Sequence, residues 1–186
     1  MKKRCFWVSN DPLYIEYHDK EWGVPVYDDE TLFEFLLLES FQAGLSWITI
    51  LKKRENFRKA FDGFDYKKIA NYNEDKFNEL IVNEGIIRNK LKIKAAITNA
   101  KAFIEVQKEY GSFSKYIWGF FNGKPIKNNF KTREEVPATT PLSDEISKAL
   151  KKRGFKFVGS TIIYAFMQAT GMVNDHTTDC FRYNEV

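Results

Sequence analysis

Apolar positions recur at helical spacing along almost the whole chain, and no stretch alternates convincingly in the way a half-buried strand does. The pattern predicts helices over about residues 29–42, 46–61, 73–82, 89–109, 112–121, 142–153 and 158–170. Polar residues suit their ends, because Asp28 and Asn73 can cap helices and Gly154 can follow one. The polar stretch 122–140 is expected to be a connection. We therefore predict an all-α protein.

Nothing along the chain marks a boundary between independent domains. The 186 residues contain no internal repeat, no low-complexity tract and only 5 prolines. A chain of this length can bury a large core. One compact helical domain over residues 1–186 is expected, built either as a single unit or as two packed lobes.

Composition narrows the range of partners and locations. The aromatic content of 16% excludes a disordered protein, and the formal charge of +4 permits a polyanionic partner without requiring one. The basic start MKKR is not followed by the long apolar segment of a signal peptide. Polar residues interrupt the longest apolar run, 35–51, which is also short for a bilayer. We expect a cytoplasmic monomer without a membrane partner.

The only two cysteines and two histidines of the chain form two pairs at its ends. Cys5 and His18 lie in the first segment, whereas His176 and Cys180 are four residues apart near the end. Two thiolates and two imidazoles complete the coordination that zinc prefers in structural sites, and such a site would join the two terminal segments. In the alternative interpretation, the cysteines are small buried apolar residues and the histidines are hydrogen-bonded surface groups.

Glu39 is the only charged residue in the apolar run 35–51, and its spacing from Leu32 and Phe35 places it on the buried side of a helix. A buried carboxylate is costly unless polar groups satisfy it or a cavity faces it, so an internal ion pair and a functional site are both open. Aromatic residues crowd the N-terminal segment and one follows Glu39 by eight residues: Phe6, Trp7, Tyr14, Tyr17, Trp22 and Trp47. Most aromatic clusters are core, but rings beside an acid also suit a flat, positively charged heterocycle.

Residues 80–97 predict a short helix, a tight turn at 83–85 and a second helix beyond Ile87. Gly85 is expected to adopt a left-handed conformation there. Amides at the start of the second helix can bind a phosphate, and nearby cations would add charge: Arg88, Lys90, Lys92 and Lys94. This helix-hairpin-helix near 75–101 indicates binding to the DNA backbone, although similar junctions occur in proteins that never bind nucleic acid.

Together these features resemble the DNA-3-methyladenine glycosylase I family of the helix-hairpin-helix superfamily over nearly the whole chain. The matching segments include AGLSWITILKKRENFR at 43–58, EGIIRNKLKIKAAITNAKAF at 84–103 and the terminal cysteine and histidine positions. The resemblance implies one helix-hairpin-helix DNA glycosylase domain with structural Zn²⁺ joining its N- and C-terminal segments. The implied metal ligands are Cys5, His18, His176 and Cys180.

The resemblance also implies a monofunctional hydrolase of base-excision repair. Such an enzyme flips 3-methyladenine out of alkylated double-stranded DNA and hydrolyses its N-glycosidic bond, leaving an abasic site. Because alkylation makes the purine a positively charged, good leaving group, binding and electrostatics matter more than strong acid catalysis. The implied catalytic residue is Glu39. Tyr17 and Trp47 would sandwich or flank the base beside Trp7, Tyr14 and Trp22; Gly44 and Leu45 would fill the gap in the duplex; and Gly85, Ile86 and Arg88 would hold its backbone.

One departure from the wider superfamily concerns the water-activating group. Related glycosylases carry a catalytic aspartate in a Gly-Pro-rich element beyond the hairpin, whereas this chain reads IEVQKEYGSFSKY after Phe103. The methyladenine branch is known to lack that element, which leaves the group undefined. Two other interpretations stay open: a zinc-stabilised DNA-binding domain without catalysis, and a zinc hydrolase in which water replaces one ligand.

Overall fold

The computed structural model describes residues 1–186 and is mostly helical. Its helices are α1 (Pro12–Lys20), α2 (Asp29–Gln42), α3 (Trp47–Ala60), α4 (Tyr66–Ala70), α5 (Glu74–Ile81), α6 (Lys90–Tyr110), α7 (Phe113–Gly119), α8 (Pro141–Lys152) and α9 (Ser160–Ala169). Two 3₁₀ turns (Asp62–Phe64 and Arg133–Glu135) and two strands, β1 (Ile126–Lys127) and β2 (Val173–Asn174), complete the fold.

All seven predicted helices are present, and their capping residues act as expected. The Asp28 side chain accepts from the Thr31 amide at 2.9 Å, and Asn73 accepts from the Lys76 amide at 2.9 Å. The five-residue helix α4 was not predicted, and neither was the helix α1. It begins where Asp11 accepts from the Leu13 amide and where proline occupies the first helical position, which has no need of an amide donor.

The prediction that the chain contains no strand is wrong in one place. β1, inside the polar connection 122–140, pairs in parallel with β2, with Ile126 opposite Val173. Each strand is only two residues long, too short for side chains to show the alternation that marks a strand in sequence. This pair fixes the polar connection against the C-terminal segment.

The helix α2 lies at the centre of the core. It packs against α3, α6, α7 and α9, and Leu32 and Leu36 on it are fully buried. Contact on several sides explains why α2 is apolar nearly all round. Glu39 is therefore carried by the most enclosed helix of the protein. None of the helices combines the length and the apolar character needed to span a lipid bilayer.

Candidate active site

A cavity of about 310 Å³ opens beside the C-terminal half of α2. Its wall contains Glu39 together with every aromatic residue that the sequence associated with this acid: Phe6, Trp7, Tyr14, Tyr17, Trp22 and Trp47. They come from the N-terminal segment, from α1 and the turn after it, and from the first position of α3. The structure thus brings together six of the predicted site residues.

Glu39 is 3% exposed and has no partner of opposite charge. Burial raises the pKa of its carboxyl group from 4.5 to about 8, and no hydrogen bond or cation offsets that effect. The internal ion pair considered from sequence is therefore excluded. What remains is an acid that faces a cavity, which is an arrangement typical of functional sites.

The aromatic rings form adjoining walls of the cavity. The ring centroids of Tyr17 and Trp47 are 5.6 Å apart and their planes differ by 44°, so these two rings meet at a corner and are not the opposite faces of a slot. Trp7 lies between Tyr14 and Trp22, with 5.0 Å between ring centroids on each side. The indole N–H groups of Trp7 and Trp47 are buried without an acceptor. Buried donors of this kind usually have a partner, and a ligand in the cavity could provide it.

The four cysteine and histidine side chains meet in a second, fully buried cluster. Their ligand atoms all lie within 4.8 Å of one another. The Nδ1 atom of His176 is 3.4 Å from Cys5 Sγ and 3.5 Å from Cys180 Sγ, and His18 Nε2 is 3.4 Å from Cys180 Sγ. Ligands at zinc–sulfur and zinc–nitrogen bond lengths around a tetrahedral ion would be about 3.3–3.8 Å apart. The spacing of the cluster fits a tetrahedral metal ion.

The far side of each imidazole is also held, as is usual for metal-binding histidines. His18 Nδ1 lies 2.8 Å from Asp19 Oδ1, and the Arg4 guanidinium lowers the pKa of that carboxyl to about 2. His176 Nε2 donates to the Trp22 carbonyl oxygen at 2.9 Å. Gly23 makes this approach possible, since a Cβ there would lie 2.9 Å from His176 Nε2 and its φ is +83°. Both imidazoles are oriented with one nitrogen towards the cluster.

The hydrogen bond between the two cysteine side chains favours a neutral thiol at Cys5 and a thiolate at Cys180. The Cys180 side chain raises the pKa of the Cys5 thiol, and burial acts in the same direction. Cys5 and the two histidines lower the pKa of Cys180. A buried thiolate beside two imidazole nitrogens attracts a cation, so the donor chemistry agrees with the spacing.

The cluster of cysteines and histidines lies directly behind the cavity wall. On α1, Tyr14 and Tyr17 face the cavity while the next residue, His18, enters the cluster. Trp22 contributes its ring to the cavity and its carbonyl oxygen to His176. A metal ion at the cluster would therefore hold the aromatic wall in position.

The turn between α2 and α3 places Gly44 and Leu45 at the surface beside the cavity. Gly44 has a φ of +80°, and Leu45 is 37% exposed. Gln42, which lines the cavity, donates from Nε2 to the Leu45 carbonyl oxygen at 2.6 Å and holds the turn. Neither Gly44 nor Leu45 lines the cavity itself.

The predicted hairpin is formed by α5 and α6, but the reason for its glycine differs from the prediction. Gly85 does not adopt a left-handed conformation. Its amide donates to Asn83 Oδ1 at 2.8 Å, and a Cβ would lie 3.1 Å from that oxygen and 3.2 Å from the Asn56 carboxamide carbon. Close packing explains the glycine.

The side chain of Ile86 is buried in the core, whereas Arg88 is exposed and forms no ion pair.

Lys92 is not the solvent-facing cation that the sequence indicated. It is 7% exposed, and its Nζ donates to the carbonyl oxygens of Phe41 at 2.9 Å and Ala43 at 2.7 Å. These carbonyls end α2, where a positive charge favours the helix dipole. Lys92 connects the hairpin to the turn that carries Gly44 and is unavailable to a phosphate.

Sequence reasoning missed several residues of the cavity. Gln42, Val136, Pro137, Ala165, Gln168 and Asp175 all line it. Val136 and Pro137 belong to the polar connection, which therefore forms part of the wall. Asp175 precedes the metal-binding candidate His176, and this adjacency was the one signal in the sequence that could have drawn attention to it.

Comparison with known proteins agrees with this geometry. Residues 7–183 match the sequence profile of the family described as methyladenine glycosylase. The chain is 52% identical over 181 residues to DNA-3-methyladenine glycosylase 1 of Escherichia coli strain K12, and the match covers 97% of each chain.

Solved structures agree as well. The chain is similar to a crystal structure of 3-methyladenine DNA glycosylase I, with a TM-score of 0.94, 54% identity and coverage of 96% of this chain and 98% of that one. A variant of 3-methyladenine DNA glycosylase I, solved in complex with 3-methyladenine, gives a TM-score of 0.93 at 36% identity over 96% of both chains.

Proposed function

From the premise that this chain belongs to the methyladenine glycosylase family, we propose that it is a DNA repair hydrolase that removes 3-methyladenine from alkylated double-stranded DNA. It flips the damaged nucleotide out of the duplex, hydrolyses the N-glycosidic bond and leaves an abasic site. The observation that supports this most directly is the unpaired, buried carboxyl group of Glu39 in an aromatic cavity.

The cavity suits the chemistry of the damaged base. An N3-alkylated adenine in DNA carries a positive charge, and its exocyclic amino group is a hydrogen-bond donor. Glu39 is placed to accept from the edge of the base, and the charge of the base compensates a carboxylate that burial alone disfavours. An undamaged, neutral adenine offers no such compensation, so the pocket selects for the lesion.

The aromatic residues are proposed to bind the base by its faces and edges. Tyr17 and Trp47 provide two adjoining surfaces, and Trp7, Tyr14 and Trp22 complete the wall. The unpaired indole N–H groups of Trp7 and Trp47 can donate to ring nitrogens of the base. Stacking and these donors hold the extruded base while the bond to the sugar breaks.

Contacts with the duplex are assigned to the edge formed by the hairpin and the α2–α3 turn. Gly44 and Leu45 project at the surface beside the cavity and can fill the gap that the flipped nucleotide leaves. The amide of Gly85 is taken up by Asn83, so this glycine is proposed to shape the turn, while the backbone amides of Ile87 and Arg88 and the Arg88 guanidinium are proposed to hold phosphates. The side chain of Ile86 is buried in the core and its amide donates to the Asn83 carbonyl oxygen at 3.4 Å, so this residue is proposed to fix the hairpin rather than to contact the duplex.

The cluster of Cys5, His18, His176 and Cys180 is proposed to hold structural Zn²⁺. Four protein ligands complete the coordination that zinc prefers, which favours a structural role over the zinc-hydrolase interpretation. When bound, the ion would join the N-terminal segment to the C-terminal segment behind the cavity. The protein is proposed to act as a monomer.

The function is tested by mass spectrometry of the bases released from methylated duplex DNA. The native protein should release free 3-methyladenine and leave abasic sites without cutting the strand. Glu39→Gln should keep the fold and slow release on the order of 100-fold or more. Glu145→Gln, an exposed acid on α8, is the matched control and should act like the native protein.

Two results would contradict the proposal. A native protein that binds methylated duplex but releases no base would instead support a DNA-binding domain without catalysis. A Glu39→Gln variant that releases 3-methyladenine at the native rate would show that the site has been assigned to the wrong residue.

A further inference from the structure

Asp175 is a second carboxyl group in the wall of the cavity. It is 2% exposed and follows β2, immediately before His176. Its Oδ1 accepts from Asn128 Nδ2 at 2.7 Å, and its Oδ2 accepts from Gln168 Nε2 at 2.9 Å and from the hydroxyl group of Tyr164. Three segments of the chain, β2, α9 and the polar connection, thus converge on one buried carboxylate.

Every group that donates to Asp175 is neutral. By contrast, Asp19 and Glu21, which lie near the same wall, are paired with the guanidinium groups of Arg4 and Arg54. No lysine, arginine or histidine lies within ion-pair distance of Asp175. Hydrogen bonds from neutral donors stabilise a carboxylate but do not cancel its charge. The field of that charge extends into the cavity, where the local dielectric is low.

We propose that Asp175 provides a fixed negative charge that stabilises the positive charge of the substrate while the N-glycosidic bond breaks. This inference rests on the function proposed above. The damaged nucleotide starts as a cation on the purine. As the C1′–N9 bond breaks, its electron pair moves to N9, so the base leaves neutral and the positive charge passes to the sugar. The oxygen of a water molecule then adds to C1′ and a proton is released.

A fixed anion is useful in this reaction because the net positive charge is present from substrate to transition state and moves towards the sugar. A charge that is held by the fold before the substrate arrives needs no reorganisation when the bond breaks. Asp175 meets this condition, because its two oxygens are fixed by three donors. Glu39, which has no such donors, is suited to binding the base itself.

Asp175→Asn removes the negative charge and keeps the size and shape of the side chain, so it tests the charge alone. Single-turnover excision of 3-methyladenine from duplex DNA should slow on the order of 10- to 100-fold. Binding should be compared for two duplexes, one with a protonated pyrrolidine in place of the sugar and one with a neutral tetrahydrofuran. The native protein should prefer the pyrrolidine duplex, and the variant should lose that preference. Its affinity for free, neutral 3-methyladenine should change by less than about threefold.

Asp179→Asn is the matched control, because it makes the same change beside the ligand Cys180 but at an exposed position outside the cavity. It should keep the native excision rate and the native preference for the pyrrolidine duplex. Zinc content and thermal unfolding are measured for both variants. A purely structural role of Asp175 would lower stability and free-base affinity together and leave the preference for the cationic duplex intact, which would overturn the proposal.

An Asp175→Asn variant with the native excision rate and the native preference for the pyrrolidine duplex would also overturn the proposed role of Asp175. The proposed function would still stand in that case, provided that the native protein releases 3-methyladenine. If the asparagine variant does not fold, Asp175→Ser offers space for a small anion. Excision by that variant should then rise with added formate but not with chloride at the same ionic strength. Failure of formate to increase the rate would count against the proposed charge.

Discussion

The carboxyl group of Glu39 is stabilised by no donor and no cation in the free protein, and its pKa is about 8. At neutral pH the free site therefore favours the protonated acid. If the cavity binds the damaged base as proposed, the cationic base supplies the missing positive charge and lowers the pKa of Glu39 again. On that proposal, binding of the lesion and ionisation of this residue are coupled.

Stability should depend on pH through the same residue. In the unfolded chain the carboxyl group loses its proton near its ordinary pKa of 4.5, whereas the folded protein keeps the proton up to about pH 8. Between these values the folded state binds more protons, so the free energy of unfolding falls as the pH rises, by roughly 3–5 kcal/mol from this group. Urea denaturation at pH 5 and at pH 8 measures this difference in the free energy of unfolding.

Glu39→Gln should lose this part of the pH dependence and gain stability relative to the native protein at pH 8. Glu145→Gln should keep the native dependence. If Glu39→Gln and the native protein show the same change between pH 5 and pH 8, the carboxyl group is not buried in an uncharged form.

At the scale of single residues, the sequence identified the site candidates that stand out from their neighbours along the chain or are rare in it. Glu39 stands out because its neighbours along α2 are apolar, and the cysteines and histidines stand out because they are rare. Lys92 and Asp175 were misjudged or missed because their partners belong to other elements of the fold. The carbonyl oxygens that bind Lys92 belong to α2, and the donors to Asp175 come from α9 and the connection. No local pattern records such contacts.

At the scale of elements, the contact between α6 and the end of α2 positions the α2–α3 turn. Lys92 is the only side chain that donates to the carbonyl oxygens of Phe41 and Ala43. Burial lowers the pKa of Lys92, so part of the energy of these hydrogen bonds is offset by desolvation. The hairpin and the turn that carries Leu45 are thereby fixed relative to each other.

Lys92→Met should remove this connection and reduce the free energy of unfolding by about 1–3 kcal/mol, because two carbonyl groups lose their donor. Amide exchange in residues 43–46 should become faster. Lys101→Met, an exposed substitution on the same helix, should change neither quantity. Equal exchange in the turn of Lys92→Met and of the native protein would show that the turn is held by other contacts.

The success of the helix predictions has a physical cause, and so do the errors. α3 and α6 each have a solvated side and a buried side, so their periodicity is visible in the sequence. α1 is short and mixes aromatic and charged residues, so it shows no clear periodicity. It is held by contacts with other elements, such as the two hydrogen bonds from the Arg54 guanidinium to the Glu21 carboxylate at its end. The strand pair arises from contacts between residues 126–127 and 173–174, which no local periodicity can predict.

At the scale of the whole molecule, the cluster of cysteines and histidines closes the chain by joining its two ends. Lys3 accepts from the Phe181 amide through its carbonyl oxygen, and Cys5, His18, His176 and Cys180 meet close by. Because α1 supplies both the cluster and the cavity, the integrity of the pocket depends on this junction. Residues at opposite ends of the sequence thus maintain the wall of one cavity.

Cys180→Ala should lose one zinc ion per chain and several kcal/mol of stability, since metal binding contributes directly to the folding free energy. Excision should fall indirectly, through the loss of folded protein and of the support that the junction gives to the aromatic wall. Zinc content by elemental analysis and thermal unfolding check this, with Asp179→Ala as a control that leaves the ligands intact. A Cys180→Ala variant with one bound zinc and native stability would contradict the assignment of the cluster.

The most direct test of the account is the binding of free 3-methyladenine, followed through the tryptophan fluorescence of the cavity. The native protein should bind one base per chain; because the free base is neutral, its affinity reports the stacking and hydrogen bonds of the cavity. Glu39→Gln and Tyr17→Ala should each weaken binding by at least about tenfold, while Glu145→Gln should bind as the native protein does. Saturable binding that is unchanged in Glu39→Gln and Tyr17→Ala would show that the base binds elsewhere, and the cavity would then not be the binding site for the damaged base.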